Sequence, residues 1–384
     1  MNKEPASQAA AGQSHSSVSG DPLIGQNNWP LIDLIIVSWD HARFFDNLFA
    51  SLSKLDYPKD SWRLHIVINK DGDGSKEKAL ELSEKYSASL PKMIVHEPHA
   101  NIGFSGGNNR AITWAMQNNS ECVYLLNPDT EIDASALKEA VMVWRSQKDV
   151  GSVQSLLIRG DDPNLINSKG NELHFLCFGY CGGDKDPVAA APSEPVRISY
   201  PSGAGVLLPI AVLNKVGLLD ETLHSYHEDL DLGWRIMIAG YRNYLAPKSI
   251  VTHYYEFSRS ISKWHLMERN RLLVFFKNYK LASIIMLLPA MISTDMAIWA
   301  FAVKGGWFRQ KIKANFSLLK PSTWQYLLAG REKIHLIRRM PDWIIFDRMT
   351  YKIDHQEIKA GLAEKVANAF WKTLYASYQL IIRW

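Results

Sequence analysis

The stretch CVYLLNPDTEID, residues Cys122–Asp133, joins an apolar run of strand length to a proline-containing turn with three acids. Its first part, Cys122–Leu126, is continuously apolar and is followed by the turn formers Asn127 and Pro128, which is typical of a buried parallel strand. Asp129 therefore follows the carboxyl end of a strand. Ligands of open α/β sheets bind outside such ends, so this carboxylate is placed to hold a divalent cation against a diphosphate. The alternative is a turn aspartate that accepts hydrogen bonds from its own backbone.

Three apolar runs upstream predict further strands, and helical repeats separate them. The runs are Leu31–Val37, Leu64–Ile68 and Met93–His96. Apolar residues recur at helical spacing over Phe44–Leu55, and a Gly/Asp turn opens another helical segment after the second run. Strands separated by helical patterns of this length indicate βαβ units and a mainly parallel sheet. The sequence therefore predicts an α/β fold.

The composition is that of a globular protein with a large core. The chain has 384 residues, of which 47% are hydrophobic and 21% charged, and roughly 150 residues per domain suggests two or three structural units. Three cysteines form neither a disulfide framework nor a zinc pattern, which favours a reducing compartment. Residues 1–28 are polar and small and lack the apolar core of a signal peptide, so they are predicted to be a disordered tail.

The positive charge is concentrated in one segment. Lys304–Arg339 carries nine basic residues and one acid, within a chain whose formal net charge is +4. Such a segment favours an anionic partner surface. Nucleic acid is not expected, because the segment contains no recognisable nucleic-acid module and follows an apolar stretch. A membrane surface is the predicted partner.

The apolar stretch Leu281–Val303 has Asp295 as its only charge and Pro289 near its middle. Its length would span a bilayer, but a central Asp costs about 2.5–3.5 kcal/mol on insertion scales and a proline interrupts a helix. Helices that lie in the interface or re-enter are therefore favoured over a span, and an ordinary packed helical domain is the alternative. Four tryptophans suit a headgroup layer. They are Trp299, Trp307, Trp324 and Trp343.

A glycine-rich segment, NIGFSGGNNRAITWAMQNN, occupies residues 101–119. Gly103, Gly106 and Gly107 precede a predicted helix, so backbone amides and a helix N-terminus are expected to approach a phosphate-bearing ligand closely. The spacing matches neither the P-loop nor the dinucleotide fingerprint. The two commonest nucleotide-binding motifs are thereby excluded.

Four ordered motifs resemble the family 2 glycosyltransferases, particularly their rhamnosyltransferase-like branch. They are NIGFSGGNNRAI from Asn101, LLNPDTEID from Leu125, a segment that begins GAGVLL at Gly203 and contains HEDLDLGWR, and His253. The resemblance covers about residues 31–275. It implies a GT-A fold, a nucleotide-diphospho-sugar donor, a divalent cation (Mn²⁺ or Mg²⁺) and inversion at the anomeric carbon. The implied domains are a GT-A catalytic domain at 29–275 and a helical, membrane-associated region at 276–384.

The resemblance also implies catalytic and metal-binding residues. By position, Asp129 matches the metal-holding acid of a D-x-D-like motif, with Asn127 in place of the first acid, and His253 matches a metal ligand. Neutral imidazole is a competent Mn²⁺ ligand. Asp229 matches the general base, with Glu228 as the second candidate; a positioned carboxylate typically contributes about 10²- to 10⁴-fold. N-terminal capping of a helix is the alternative role of Asp229.

The remaining expected contacts lie on loops. The family's D-N-x-S sequence after the second strand is replaced by Ile68–Asp71, so either Asn69 or Asp71 is expected to contact the base. Asp231 and Arg235 are predicted to form a structural pair on one helix face. Other expected donor contacts are Ser38, Trp39, Asp40, Asn101, Gly103, Phe104, Gly107, Asn108, Asn127 and Arg271. The expected acceptor contacts are Ser202, Gly203 and Ala204. A core position is the alternative for Trp39, and a solvated helix face for Arg271.

These observations together predict a membrane-associated inverting glycosyltransferase on the cytoplasmic face of a membrane. Its donor would be UDP-, dTDP- or GDP-linked, and its acceptor a glycan or a polyprenyl-linked precursor. A GT-A-like nucleotidyltransferase is one alternative, although the Gly-rich N-terminal signature of that class is absent. A non-catalytic carbohydrate-binding or scaffold protein is another, and loss of Asp129 or Asp229 would favour it; both are present.

Overall fold

The computed structural model describes residues 29–70, 72, 74–98, 100–254, 263–352 and 362–384. The predicted tail at 1–28 and the predicted base contact Asp71 lie outside these residues. The strands are β1 Ile32–Trp39, β2 Trp62–Lys70, β3 Met93–His96, β4 Cys122–Leu126, β5 Thr130–Ile132, β6 Val150–Arg159, β7 Ile166–Ser168, β8 Asn171–Leu173, β9 Gly179–Cys181, β10 Val196–Ile198, β11 Gly205–Pro209 and β12 Arg242–His253. The helices are α1 Phe45–Leu52, α2 Ser75–Lys85, α3 Gly103–Gln117, α4 Ala136–Ser146, α5 Ile210–Val216, α6 Glu228–Ile238, α7 Lys263–Asn278, α8 Leu281–Lys304, α9 Phe308–Ser317, α10 Pro321–Ile337, α11 Asp342–Phe346 and α12 Leu362–Ile381.

One ten-stranded sheet organises the first two thirds of the chain. Its main path runs β10-β12-β6-β11-β4-β1-β2-β3, with β5 added on β12 and β7 on β6. The pairs β4–β1, β1–β2, β2–β3 and β12–β6 are parallel. Strand β11 is antiparallel to both β4 and β6, so β6 and β12 run in the same direction as β4. The predicted α/β fold with a mainly parallel sheet is confirmed.

This topology brings the ends of distant strands to one edge. Strands β1, β2, β4 and β12 all point the same way, so the residues at or after their carboxyl ends share that edge. These residues include Trp39, Asn69, Asn127 and His253. The carboxyl edge of parallel strands is where ligands bind in open α/β sheets.

Alternating side chains of the sheet are covered by helices on both faces. On one face, Leu34 and Ile36 of β1 join a core with apolar residues of α1 and α4. On the other face, Ile35 and Val37 pack with residues of α3, α5 and α6. Strands buried on both sides are continuously apolar for this reason.

The C-terminal helices pack on the sheet-containing part of the chain through a third core. Trp234 of α6, Phe275 of α7, Leu287 of α8, Phe346 of α11 and Tyr375 of α12 are members of it. Residue 275, the predicted domain boundary, lies inside α7. The helical character predicted for the region after 276 is confirmed, whereas the predicted interruption at Pro289 is wrong, because α8 continues through that residue.

Candidate active site

A cleft of about 360 Å³ lies at the carboxyl edge of the sheet. We call it the edge cleft. Its walls come from the turn after β4, the end of β12, the loop before β11 and the start of α6. The residues predicted from sequence that line it are Phe104, Asn127, Ser202, Gly203, Ala204, Glu228, Asp229 and His253.

Asp129 and His253 are brought together by strand pairing. Strand β5 pairs with the end of β12 so that His253 is opposite Thr130, and the Tyr254 N–H donates to the Asp129 carbonyl oxygen at 2.9 Å. His253 Nε2 then lies 3.5 Å from Asp129 Oδ1 and 3.4 Å from Asn127 Nδ2. Burial opposes ionisation of Asp129, but the contact with His253 outweighs burial and lowers the pKa of this carboxyl group.

Asn167 orients the imidazole of His253. Its Oδ1 lies 3.0 Å from His253 Nδ1, and both side chains are buried. Since an amide oxygen only accepts, Nδ1 carries a hydrogen and Nε2 is directed to Asp129 and Asn127. Metal-binding histidines commonly donate the N–H of the other ring nitrogen to such an oxygen, which fixes the tautomer and the orientation of the ring. Sequence reasoning missed Asn167 because no motif marks a buried asparagine in β7.

The residue types at this point fit a Mn²⁺ or Mg²⁺ ion. The imidazole nitrogen of His253 lies within 3.5 Å of both a carboxylate oxygen of Asp129 and the amide group of Asn127. Among the described residues, no three His, Cys, Asp or Glu side chains are arranged so that they could hold a metal ion by themselves. Such cations are often held by one or two protein ligands together with substrate phosphates. Asp129 and His253 would therefore hold the ion jointly with a diphosphate.

Glu228 and Asp229 form another wall of the edge cleft. They are the first two residues of α6, which follows His227 in a left-handed conformation (φ 69°). Asp229 Oδ1 accepts the Leu230 N–H at 2.7 Å and Oδ2 accepts the Gly203 N–H at 3.4 Å. Its carboxylate thus satisfies a helix N–H and also joins α6 to the predicted acceptor loop.

The two carboxyl groups have different electrostatic environments. Glu228 is 7% exposed, and its Oε2 has no hydrogen-bond partner among the described residues. Burial and the neighbouring Asp229 raise the pKa of Glu228 to about 8. Burial also raises the pKa of Asp229, to about 6, against the opposing effect of its two backbone hydrogen bonds. Paired acids whose environments separate their pKa values are typical of acid–base sites.

The loop Ser202–Ala204 connects the two walls. The Ser202 N–H donates to Gln154 Oε1 at 2.8 Å, and the Ala204 carbonyl accepts the Asn127 N–H at 3.1 Å. At Gly203 a Cβ atom would lie 3.0 Å from the Phe104 ring. A small residue here therefore lets the aromatic ring lie against the loop at the base of the cleft.

The three glycines predicted to precede a helix lie instead in the first turns of α3, and their role differs from the one predicted. The N–H groups of residues 102–105 already donate within the protein: Ile102 to Asn69, Gly103 to Asn101, Phe104 to Ser225 and Ser105 to the His224 carbonyl. A Cβ at Gly103 would meet His224, and one at Gly107 would meet Val37. The expected phosphate contact of these amides is therefore wrong. The glycines allow α3 to pack closely against β1 and the 222–226 loop.

Asn69, Asn101 and Asn108 are likewise used within the protein. Asn69 is 2% exposed and donates to Asn101 Oδ1 at 3.1 Å and to the Gly103 carbonyl at 2.9 Å. Asn108 donates to the Phe104 carbonyl at 2.9 Å. These side chains hold the loop in shape, so the structure gives no support to a base contact by Asn69.

Arg271 is buried and engaged within the protein, contrary to prediction. Its guanidinium is 1% exposed and donates to both Glu268 oxygens (2.9 and 2.7 Å) and to the Leu176 carbonyl at 3.2 Å. The donors that would bind a diphosphate are used in a buried network between α7 and α8. Both the predicted donor contact and the alternative of a solvated helix face are wrong for this residue.

The end of β1 remains accessible at the same edge. Ser38 is buried and donates to Ser75 Oγ at 3.2 Å, whereas Asp40 is exposed and has a φ of 67°. Trp39 is 47% exposed, which excludes the alternative of a core position.

The predicted structural pair is confirmed: Arg235 Nε donates to Asp231 Oδ2 at 2.8 Å on α6.

The edge cleft also contains residues that sequence reasoning did not identify. They come from β8, β9, the loops before β11 and α6, and helix α7. Aromatic side chains with a few polar groups are usual in small-molecule sites. These additional residues include Asn171, Tyr180, Tyr200, Tyr226 and Met267.

Comparison with known proteins gives a family and a fold. A family model described as glycosyltransferase like family 2 matches residues 30–272. A curated relative, the low-salt glycan biosynthesis hexosyltransferase Agl10 of Haloferax volcanii, is 23% identical over 146 residues, which are 35% of this chain and 43% of that protein. The chain therefore spans less than half the length of this relative.

Solved structures resemble the fold at low sequence identity. GalNAc-T7 with UDP, GalNAc and Mn²⁺ has a TM-score of 0.52 at 14% identity, over 66% of this chain and 48% of that chain. The mannosyltransferase PcManGT from Pyrobaculum calidifontis, in complex with GDP-Man and Mn²⁺, has a TM-score of 0.49 at 15% identity, over 81% and 87%. The GalNAc-T7 similarity shows the GT-A fold. With the family model covering most of the chain, this protein belongs to the glycosyltransferase like family 2.

Proposed function

We propose that the chain is an inverting glycosyltransferase that moves a hexosyl or rhamnosyl group from a nucleoside diphosphate to a glycan or lipid-linked acceptor. The observation that carries the proposal is the composition of the edge cleft. Asn127 and His253, next to Asp129, line this cleft together with Glu228 and Asp229. A leaving-group site and a proton acceptor thus open onto the same space, as a single displacement requires.

On the donor side, Asp129 and His253 would hold a divalent cation, which would bind the diphosphate. Asn167 keeps the His253 ring in the tautomer that presents Nε2. When bound, the cation neutralises the negative charge that develops on the leaving diphosphate. The exposed Trp39 indole at the end of β1 is available to stack on the nucleobase, which belongs to UDP, dTDP or GDP.

On the acceptor side, Asp229 accepts the proton of the attacking hydroxyl group. The acceptor oxygen forms a bond to the anomeric carbon as the bond from that carbon to the diphosphate oxygen breaks, so one displacement inverts the configuration. Glu228, whose pKa is raised above that of Asp229, stays protonated and leaves Asp229 as the ionised member of the pair. The loop Ser202–Ala204 positions the acceptor beside Asp229.

The biological setting is part of the proposal. We infer a role in surface polysaccharide or glycoconjugate synthesis at the cytoplasmic face of a membrane. The curated relative is named as a hexosyltransferase of glycan biosynthesis, and the GalNAc-T7 structure contains UDP and Mn²⁺. The first supports glycosyl transfer in glycan biosynthesis, and the second supports a nucleotide-linked donor and a divalent cation.

A donor panel tests the proposal. Purified protein is incubated with Mn²⁺ or Mg²⁺ and UDP-, dTDP- and GDP-sugars, and release of the nucleoside diphosphate is measured. Release from one donor class, abolished by a chelator and by Asp129→Ala, is expected. The matched control is Asp133→Ala, which removes another acid of the same turn, one that bonds Ser135 instead of facing His253. Turnover by Asp129→Ala, or turnover that resists the chelator, would contradict the metal assignment.

A further inference from the structure

The outer face of α8 exposes an apolar stripe. Its members recur at intervals of four and seven residues, which places them along one side of the helix. We call this set the α8 stripe: Leu281 (63% exposed), Ile285 (58%), Ile292 (57%), Met296 (68%) and Val303 (63%). Among the described residues before α7, exposed large apolar side chains are scattered and single, for example Leu80 and Met142. A contiguous stripe of this kind marks a binding surface.

The opposite face of α8 packs against the protein, with buried residues from Ser283 to Thr294 and at Ala302. Near its start, Ser283 donates to Asp342 at 2.6 Å and accepts from the Trp384 indole at 2.9 Å. Near its end, Ala302 is buried and its carbonyl accepts the Trp307 N–H at 3.0 Å. The stripe is therefore the free side of a helix whose other side belongs to the core.

The central acid of α8 also faces inward. Asp295 bonds Lys311 of α9, which is fully buried and also bonds Glu268 of α7 at 2.6 Å; Arg271 lies 3.7 Å from Asp295. A bilayer-spanning α8 would have to carry this charged network into hydrocarbon or abandon it. Although α8 is long and apolar enough to cross a membrane, its contacts place the charges on one side and the apolar stripe on the other.

Basic and apolar side chains alternate beyond the end of the stripe. Helix α9 packs against α8, with the Trp299 and Phe308 ring centroids 5.4 Å apart. Phe308, Phe316 and Leu319 are exposed beside exposed lysine and arginine side chains. We call the latter the α9 basic row: Lys304, Arg309, Lys313 and Lys320. None of the four has an ion-pair partner among the residues that the structure describes.

We propose that the α8 stripe and the α9 basic row dock the protein onto an anionic lipid bilayer, with α8 lying in the plane of the headgroup layer. The apolar stripe enters the boundary between headgroups and acyl chains, and the basic row binds lipid phosphates. At about 1.5 Å per residue, the 24-residue helix provides a docking edge roughly 36 Å long. Because the basic side chains of the α9 basic row would pair with lipid phosphates, an anionic lipid surface fits this face better than a purely apolar partner does.

Vesicle flotation tests this docking without any sugar donor, so its outcome is separate from that of the transferase assay. The full-length protein is floated with phosphatidylcholine vesicles with or without phosphatidylglycerol. We expect it to float with the anionic vesicles and to be partly released by high salt. Ile285→Glu/Ile292→Glu/Met296→Glu should reduce binding by about tenfold or more. The matched control Leu80→Glu/Met142→Glu, at exposed apolar positions of α2 and α4, should float like the wild type.

A second variant isolates the electrostatic contribution. Arg309→Ser/Lys313→Ser/Lys320→Ser should lose about fivefold in binding per residue at low salt, with the difference disappearing at high salt. Its control, Lys54→Ser/Lys92→Ser/Lys148→Ser, removes three exposed lysines of the catalytic region and should leave binding unchanged. Circular dichroism and melting temperature confirm that each variant is folded.

Four outcomes would overturn the docking proposal or its in-plane orientation. Wild-type protein that floats with neither vesicle would do so, as would a stripe variant that floats as well as the wild type. A wild-type dimer that the stripe substitutions convert to a monomer would instead assign the stripe to self-association. If membranes retain the protein after carbonate extraction, α8 spans the bilayer and the in-plane orientation is wrong.

Discussion

Glu228 offers a test of the electrostatics of the edge cleft. It is 7% exposed, and burial together with Asp229 raises its pKa from an ordinary value of 4.5 to about 8. Between these values the unfolded chain loses the proton while the folded protein keeps it. Stability therefore falls as pH rises through this window, and the full contribution of Glu228 is present only below about pH 4.5.

The substitution Glu228→Gln keeps the shape and removes this ionisation. One pKa unit corresponds to about 1.4 kcal/mol, so the variant should be more stable than the wild type by up to about 3 kcal/mol near pH 7, and by less than about 1 kcal/mol near pH 5. Urea unfolding of both proteins across this range measures the difference. Glu194→Gln, at an exposed glutamate, is the control and should change stability by less than about 0.5 kcal/mol at every pH.

Two results would refute the reasoning. If Glu228→Gln is no more stable than the wild type near pH 7, burial does not hold this carboxyl group in its protonated form. If the stability gain is the same near pH 5 and near pH 7, its cause is packing and not ionisation.

Three further predictions concern the pH profile, the metal site and the buried network. Because burial raises the pKa of Asp229 to about 6, kcat/KM should rise through that pH as the base loses its proton; a rate that is already constant well below pH 6 would contradict this. Asn167→Leu removes the acceptor behind His253 and should weaken Mn²⁺ binding by about 10- to 100-fold in calorimetric titrations with a nucleoside diphosphate present, and an unchanged affinity would exclude a role for Asn167. Arg271→Met leaves Glu268 without its bidentate partner and should lower the free energy of unfolding, measured with urea, by about 3–5 kcal/mol while preserving donor affinity. A variant that keeps its stability but no longer binds the donor would support a contact between Arg271 and the diphosphate.

The sheet and the two walls of the edge cleft could be predicted from the sequence because they depend on local patterns. The predicted strands Met93–His96 and Cys122–Leu126 have the bounds found in the structure. Short apolar runs closed by turn formers identify buried strands, and their parallel order follows from the intervening helices. Asp129 and His253, far apart in the chain, meet because both follow or end strands of the same direction.

What could not be predicted depends on packing. Glycines before a helix suggest a ligand-binding loop, but only the contacts of Gly103 with His224 and of Gly107 with Val37 show that protein atoms occupy that space. In the sequence, Lys311 is one of nine basic residues in a positively charged segment. In the structure it is fully buried and pairs with Glu268. No sequence pattern distinguishes an inward-facing lysine from an exposed one when its partner lies 43 residues away.

The central claim is that Asp229 accepts the proton of the acceptor hydroxyl group, and Asp229→Asn tests it most directly. Asparagine is nearly isosteric and can still accept the Leu230 N–H through its side-chain oxygen, so melting temperature and donor affinity should be retained. The transfer rate should fall by about 10² or more, because the amide cannot accept the proton. Transfer at close to the wild-type rate would contradict the account and direct the search for the base to Glu228.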